Sequence, residues 1–217
     1  MTDNFALWVI VFGILALLVL QRLSSGNYEE REHLTSGHYR AGVDIPVGKA
    51  DLKATGGAGN FVVKNSKAKD WTIGNNIGAT SGFQPTQFRN LILNKHDILE
   101  INGSVKVVLV PPTPILDTDN EVLVPGTYRF GIDLPPGKYS LEVAGGVGDV
   151  LLVESGKDTY NFYQDMAQYD DFKADSYQNV ICTSNHELWI RGSLQIKLKR
   201  CDGKIRAWIN KNLWMRK

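Results

Sequence analysis

The sequence predicts an all-β protein: two tandem small β-sandwiches of jelly-roll type, preceded by one transmembrane helix. Three observations predict it. Residues 32–109 resemble residues 121–198 at one constant offset of 89 positions. Apolar and polar residues alternate with a period of two in many short segments of both stretches, the pattern of strands with one buried face. One uncharged apolar run stands near the amino end. Hydrophobic residues make up 43% and charged residues 22% of the 217 residues, the balance of a folded chain rather than a disordered one. Lys+Arg number 24 against 23 Asp+Glu, so a whole-protein nucleic-acid binder is not expected. Two cysteines are too few for a disulfide scaffold or a four-Cys zinc ribbon.

The first predicted element is a transmembrane helix over residues 5–22. Phe5 to Leu20 (FALWVIVFGILALLVL) carries no charged or strongly polar side chain. At ~1.5 Å per residue the run covers about 24 Å of a ~30 Å hydrocarbon core. Asn4, Gln21 and a snorkelling Arg22 suit the two interfaces. A cleaved signal peptide fits poorly, because Met1-Thr2-Asp3-Asn4 lacks a basic residue and Ser24-Ser25-Gly26 is a poor cleavage site. Arg22 and Arg31 follow the run and no basic residue precedes it. The positive-inside bias therefore favours a cytoplasmic carboxyl side at the cell membrane.

The two β-sandwiches are expected over residues 29–111 and 119–200. GHYRAGVDIPVGKADLKATGGAGNFVV from Gly37 aligns with GTYRFGIDLPPGKYSLEVAGGVGDVLL from Gly126. Phe83/Phe172, Asn90/Asn179, Leu99/Leu188, Ile101/Ile190, Gly103/Gly192 and Leu109/Leu198 continue the match without drift. A period this long points to two whole domains rather than a solenoid. Tyr139, Leu141 and Val143 alternate with polar neighbours, as do Leu194, Ile196 and Leu198, and Val105, Val107 and Leu109 repeat the spacing. About six short strands per repeat are expected by this pattern. Gly56-Gly57, Gly145-Gly146, Asn102-Gly103 and Arg191-Gly192 mark tight turns, where glycine takes positive φ at no steric cost. Pro111-Pro112-Thr113-Pro114 separates the repeats, since proline cannot donate to a sheet ladder. Each repeat is small for an independent core, so packing of one on the other is expected.

The run G-x-Y-x-x-G-x-D-[IL]-P-x-G-K-x-x-L, followed by G-G-x-G and a distal strand–Asn-Gly-Ser–strand, resembles a recurrent module of Firmicutes membrane-anchored proteins and lipoproteins. The resemblance covers most of residues 34–110 and 123–199. It implies a small β-sandwich and no catalytic residues. Ala50 departs from the second aromatic of the motif, which Tyr139 keeps. Many of the proteins it resembles are exported, which opposes the flanking-charge rule, so both sides of the membrane stay open.

No enzyme is expected. His33, His38, His96 and His186 show no metal-ligand spacing, and neither a Gly-x-Ser-x-Gly elbow nor a phosphate-cradling Gly-x-x-x-x-Gly-Lys motif is present. His96 and His186 read as solvated turn residues. Asp117, Asp119 and Glu121 alternate in LDTDNEV, but the stretch lacks the glycine of a calcium loop and reads as a solvated linker. No cofactor or metal is expected. Cys182 aligns with the core position Leu93 and reads as a buried thiol; its pairing with Cys201 is left open, because spacing does not establish disulfide geometry.

The candidate ligand- or partner-binding residues are Trp71, Tyr160, Tyr163 and Tyr169. Tyr163 and Tyr169 stand where the first repeat has Gly74 and Thr80, so the shared core does not require them. Packing into the core or the loops is the other reading. Aromatic faces beside Asp165, Asp170 and Asp171 suit stacking on a sugar or docking of another protein.

Residues 203–217 form a basic amphipathic tail. From Lys197 to Lys217 eight basic residues meet one acid, Asp202, a net charge of +7, against −6 for the rest. In a helix Ile205, Trp208, Ile209 and Leu213 make one stripe. Lys204, Arg206, Trp208, Lys211 and Trp214 are candidate contacts to an anionic membrane surface; docking onto the second sandwich is the equal alternative. The expected function is a membrane-tethered, non-enzymatic binding or scaffold module acting through loops, alternatively a cell-wall or carbohydrate-binding surface protein. The expected partners are the lipid bilayer and another protein or a glycan.

Overall fold

A computed structural model describes residues 33–64, 72–79, 84–115, 121–154, 160–167 and 173–201. The predicted span at 5–22 and the basic tail lie outside these residues. Among the described residues no helix is long and apolar enough to cross a membrane.

The described chain is all-β. The first half contains β1 (Gly37–Arg40), β2 (Gly48–Gly56), β3 (Ala58–Lys64), β4 (Thr72–Gly78), β5 (Gln87–Leu93), β6 (Ile98–Gly103) and β7 (Lys106–Val110). The second contains β8 (Val122–Leu123), β9 (Gly126–Arg129), β10 (Gly137–Gly145), β11 (Val147–Glu154), β12 (Tyr160–Ala167), β13 (Ser176–Cys182), β14 (His186–Ile190) and β15 (Gln195–Arg200). That exceeds the six strands expected per repeat. β1, β8 and β9 are two to four residues long, too short to show a period of two.

Strand order is the same in both halves. β1-β6-β3-β4 in the first corresponds to β9-β14-β11-β12 in the second, and β5-β2-β7 corresponds to β13-β10-β15. The registers agree at an offset of 89: Phe61 pairs with Ile101 and Val150 with Ile190, Leu52 with Leu109 and Leu141 with Leu198. The irregularities recur too, between Ala50 and Leu52 and between Tyr139 and Leu141. β8, which adds to β15, has its counterpart in an antiparallel bridge from Leu34 to Val107.

Two sheets close over one apolar core in each half. Inward residues of the alternating segments fill these cores: Leu52, Phe61, Ile77, Leu99, Ile101, Val107 in the first, and Tyr139, Leu141, Val150, Met166, Leu188, Ile196 in the second. Burial of such side chains, ~1.5–3 kcal/mol each, is the main force for folding. Tyr139 is fully buried and its hydroxyl donates to the Pro135 carbonyl at 2.6 Å. Gly57 and Gly146 turn with φ of 63° and 72°; a Cβ there would stand 2.1 Å from the carbonyl oxygens of Ser104 and Ser193. The Gly-Gly-x-Gly stretches are therefore turns, as the sequence implies.

The halves also share a sheet. β5 runs parallel to β9 through the pair Arg89 and Gly126, joining one sheet of each half into seven strands, β12-β11-β14-β9-β5-β2-β7. The Arg89 amide donates to the Pro125 carbonyl at 2.9 Å.

Candidate functional site

The outer face of the second half's part of this sheet carries an unusual set of side chains. Register places Tyr163, Leu151, Trp189 and Thr127 in one row across β12, β11, β14 and β9. Asp165 pairs with Asp149 in a neighbouring row, and Val153, Glu187 and Arg129 form another. An outward face of a small sandwich is ordinarily polar. Here Leu151, Val153 and Trp189 form an apolar cluster, and Ile73 of β4 in the first half packs on it.

Ion pairs and hydrogen bonds surround the cluster. Arg191 Nε donates to Asp149 at 2.5 Å, and Arg129 Nε to Glu187 at 3.0 Å. Trp189 Nε1 donates to the other Glu187 oxygen at 3.3 Å. Asn75 of β4 clamps the Gly192 backbone: its amide donates to the carbonyl at 3.0 Å, and its carbonyl accepts the Gly192 N–H at 2.8 Å. Lys49 reaches across from the first half to Asp133.

Tyr163 stands on β12, the last strand of this sheet among the described residues, and is 44% exposed. Its hydroxyl donates to Asp165 Oδ1 at 2.8 Å. That bond, followed by partial desolvation and the negative field of Asp149, raises the phenol pKa above its ordinary value, so Tyr163 stays a donor. An aromatic face and two carboxylates, Asp149 and Asp165, therefore share one rim.

A second polar cluster lies where β5 meets β9. Asp51 is fully buried and accepts three hydrogen bonds, from the Asn90 N–H at 2.8 Å and from the Thr113 N–H and hydroxyl at 3.0 Å each. Arg89 Nη1 donates to Glu121 at 2.7 Å and Nη2 to the Thr113 carbonyl. Burial works against the Arg89 charge. The hydrogen bond to Glu121 and the fields of Tyr128, Glu121 and Asp51 outweigh it and raise the pKa. Thr127 Oγ1 donates to the Asn90 carbonyl at 2.5 Å. These groups hold each other; they fasten the proline-rich connection to the sheet and give the site its rigid base.

Of the residues the sequence singles out, the structure places Tyr163 on the rim. Of Tyr160 the backbone alone is described, at the start of β12. Trp71 and Tyr169 lie outside the described residues, as do Lys204, Arg206, Trp208, Lys211 and Trp214. Glu121 binds Arg89, and among the described residues no cluster of acids, histidines or cysteines fits a metal ion. His186 is tied into its turn rather than simply solvated: Nδ1 accepts the Thr183 N–H at 3.1 Å and Nε2 meets Asn161 Nδ2 at 2.9 Å. Both cysteines are free; Cys182 is buried, Cys201 exposed. Burial pushes the Cys182 thiol up to about 12.

Sequence reasoning missed Trp189, Leu151 and Val153. The signal was in the internal alignment: at the same positions the first half has Glu100, Val62 and Lys64. There Lys64 and His38 pair with Glu100, and the hydrogen bonds from Lys64 and Asn102 hold that carboxyl below its ordinary pKa. A charged outward pair in one half corresponds to an apolar outward pair in the other. Comparison with family profiles, curated proteins and solved structures returns no match to this chain.

Proposed function

We propose that this chain is a membrane-tethered, non-enzymatic binding module built from two copies of one jelly-roll-like sandwich, with the second copy presenting the ligand face. The observation that carries the reading is Tyr163. It takes a position that is Gly74 in the first half, on β12, the last strand of its sheet among the described residues, and leaves nearly half its surface to solvent. Core packing does not explain an aromatic there, whereas a partner does. Identical strand order and register at one offset support the duplication. The apolar run at residues 5–20 supports the tether, and the cationic tail supports a second contact with anionic lipid.

Tyr163 beside Asp165 and Asp149 also favours one ligand class. Sugar rings stack their C–H faces on aromatics while carboxylates accept their hydroxyls. A glycan, including a cell-wall glycan, is therefore the second reading, and it requires the sandwiches to face outward. The test has two arms. Maleimide labelling of Cys201 in intact against permeabilised cells fixes the side, because the buried Cys182 does not compete. Glycan-array and peptidoglycan pulldown with the full chain and its Tyr163→Ala variant then tests the face. Binding by the wild type that falls at least tenfold in the variant supports the glycan. Equal binding by both removes Tyr163 from the site.

A further inference from the structure

The surface by which the first half grips the second has a counterpart on the second half. In the first half that surface is the outward edge of β5, the amide of Asn75 and the Lys49 side chain. The receiving surface is the outward edge of β9 at Gly126, the Gly192 backbone and Asp133. Moved by 89 positions, the gripping set becomes β13 with Gln178, then Gln164 and Lys138. The receiving set becomes β1 with Gly37, Gly103 and Asp44. β13 and β1 are each the last strand of their sheets among the described residues. Each donor has kept its chemical type: an amide for an amide, a lysine for a lysine. Each receiver is the same residue.

Burial shows that the second half's gripping edge is open. Arg89 and Asn90 of β5 are buried, whereas Gln178 and Asn179 of β13 are exposed. Tyr177 is 39% and Ile181 66% exposed. An uncovered strand edge with apolar side chains is a site for strand addition.

Gly37 argues for the occupant. At Gly126 glycine is obligatory, because a Cβ would stand 2.5 Å from the Arg89 carbonyl oxygen on the neighbouring strand. At Gly37 a Cβ would meet only the Tyr39 ring, at 3.5 Å, and its φ is not positive. Among the described residues nothing requires glycine there, but a strand laid along β1 as β5 lies along β9 requires it. We infer that a second copy of this chain is that strand: β13 of one molecule adds in parallel to β1 of the next, with Gln178 beside Gly37, Gln164 on the Gly103 backbone and Lys138 against Asp44. Such a contact is head-to-tail, so it builds rings or open filaments instead of a closed dimer. Phe162 then lies over Val62, the Lys64 arm and Glu100, where Ile73 lies over Leu151, Val153 and Trp189 within the chain. The smaller apolar area makes the contact between molecules weaker and reversible. This inference rests on the equivalence of the two halves and not on any ligand at Tyr163.

The test uses the full chain in detergent, with Cys201→Ser as background. One preparation carries Asp44→Cys and another Lys138→Cys. A short bis-maleimide is added to each alone and to their mixture. The expected result is a covalent dimer in the mixture and none in either preparation alone, since a head-to-tail contact never brings two like positions together. Gly37→Val added to the Asp44→Cys chain is expected to reduce the product roughly tenfold, about 1.4 kcal/mol of contact energy, with an unchanged melting temperature. No mixed dimer, like dimers in equal yield, or a mixed dimer undiminished by Gly37→Val overturns the inference. Glycan binding by Tyr163 would be unaffected by any of these outcomes.

Discussion

Replacing Asp51 with alanine tests how much the junction of the halves depends on one carboxylate. The side chain is fully buried and accepts hydrogen bonds from the Asn90 N–H and from the Thr113 N–H and hydroxyl. Hydrogen bonds to a charged acceptor contribute about 1.5–3 kcal/mol each. Thr113 is exposed, so water replaces much of its share. Asn90 is buried, so its N–H is left without an acceptor, at about 1–3 kcal/mol. Arg89, also buried, loses a nearby negative charge. The sum is about 3–5 kcal/mol, the range for breaking one partner out of a buried charged group. For a chain of this size that is a fall of roughly 6–20 °C in Tm. The equivalent strand position supplies the control. Ser140 is also buried, but its hydroxyl makes one long bond, 3.5 Å, to the Lys199 carbonyl. Ser140→Ala is expected to cost under about 1 kcal/mol. Thermal melts of the full chain in detergent, followed by far-ultraviolet circular dichroism, compare the two. Equal losses would refute the account of Asp51 as the hub of the junction.

Three other outcomes follow from the geometry. A Cβ on Gly148 would stand 1.9 Å from the Arg191 carbonyl oxygen, while one on Gly145 meets only the end of Gln195 at 3.8 Å; Gly148→Ala should lower Tm sharply and Gly145→Ala by no more than ~1 kcal/mol's worth, and comparable melts would contradict the close approach. Trp189→Ala should cost about 3–5 kcal/mol, because the indole is 8% exposed and lies at the contact with Ile73; faster limited proteolysis between the halves would report it. Cys182 has its pKa pushed from 9.0 to about 12 by burial, so the folded state holds the proton that the unfolded state releases. Its contribution is complete below pH 9 and is lost as pH rises toward 12, with a slope of up to about 1.4 kcal/mol per pH unit. Urea titrations at alkaline pH should show a shallower decline in Cys182→Ala, and an identical decline would exclude the thiol.

The strands that alternate were legible because a period of two is a direct image of a sheet face. Leu141, Ile196 and Leu198 all point inward as that alternation requires. The internal alignment marked the turn glycines and the matched apolar pairs Leu99/Leu188 and Ile101/Ile190, which are buried in the two cores. The junction was not legible. It hangs on a parallel contact of β5 with β9, made by backbone atoms that leave no mark on the pattern. Leu188, Trp189 and Ile190 form an unbroken apolar run, so alternation does not tell which of them faces outward. Asp51 lies in β2, between β5 and β7, and its partner Thr113 comes from the proline-rich connection.

Where the halves differ, the direction each side chain faces separates the reasons. Ala41 and Ala50 against Phe130 and Tyr139 are inward differences, and they change together: in the second half the two rings pack at 5.6 Å. Glu100 and Lys64 against Trp189 and Val153 are outward differences, and the first half covers the apolar pair through Ile73. Arg89 against Gln178 lies on a strand that joins the other half in one case and, among the described residues, ends the sheet in the other, and Asp51 against Ser140 lies on the strand beside it. A residue altered for the core or the junction is therefore covered by it. Gly74 against Tyr163 breaks that relation. The ring faces outward, its hydroxyl is held by Asp165 on the same strand, and 44% of it remains in solvent. Fixing a phenol by hydrogen bond on a rigid strand lowers the entropy lost when something stacks on it. That is the physical ground for testing Tyr163→Ala and, beside it, Asp165→Asn, which keeps the ring while weakening its anchor. A partner that stacks on Tyr163 should lose more affinity from the first change than from the second; the reverse order would make the carboxylate, not the ring, the point of recognition.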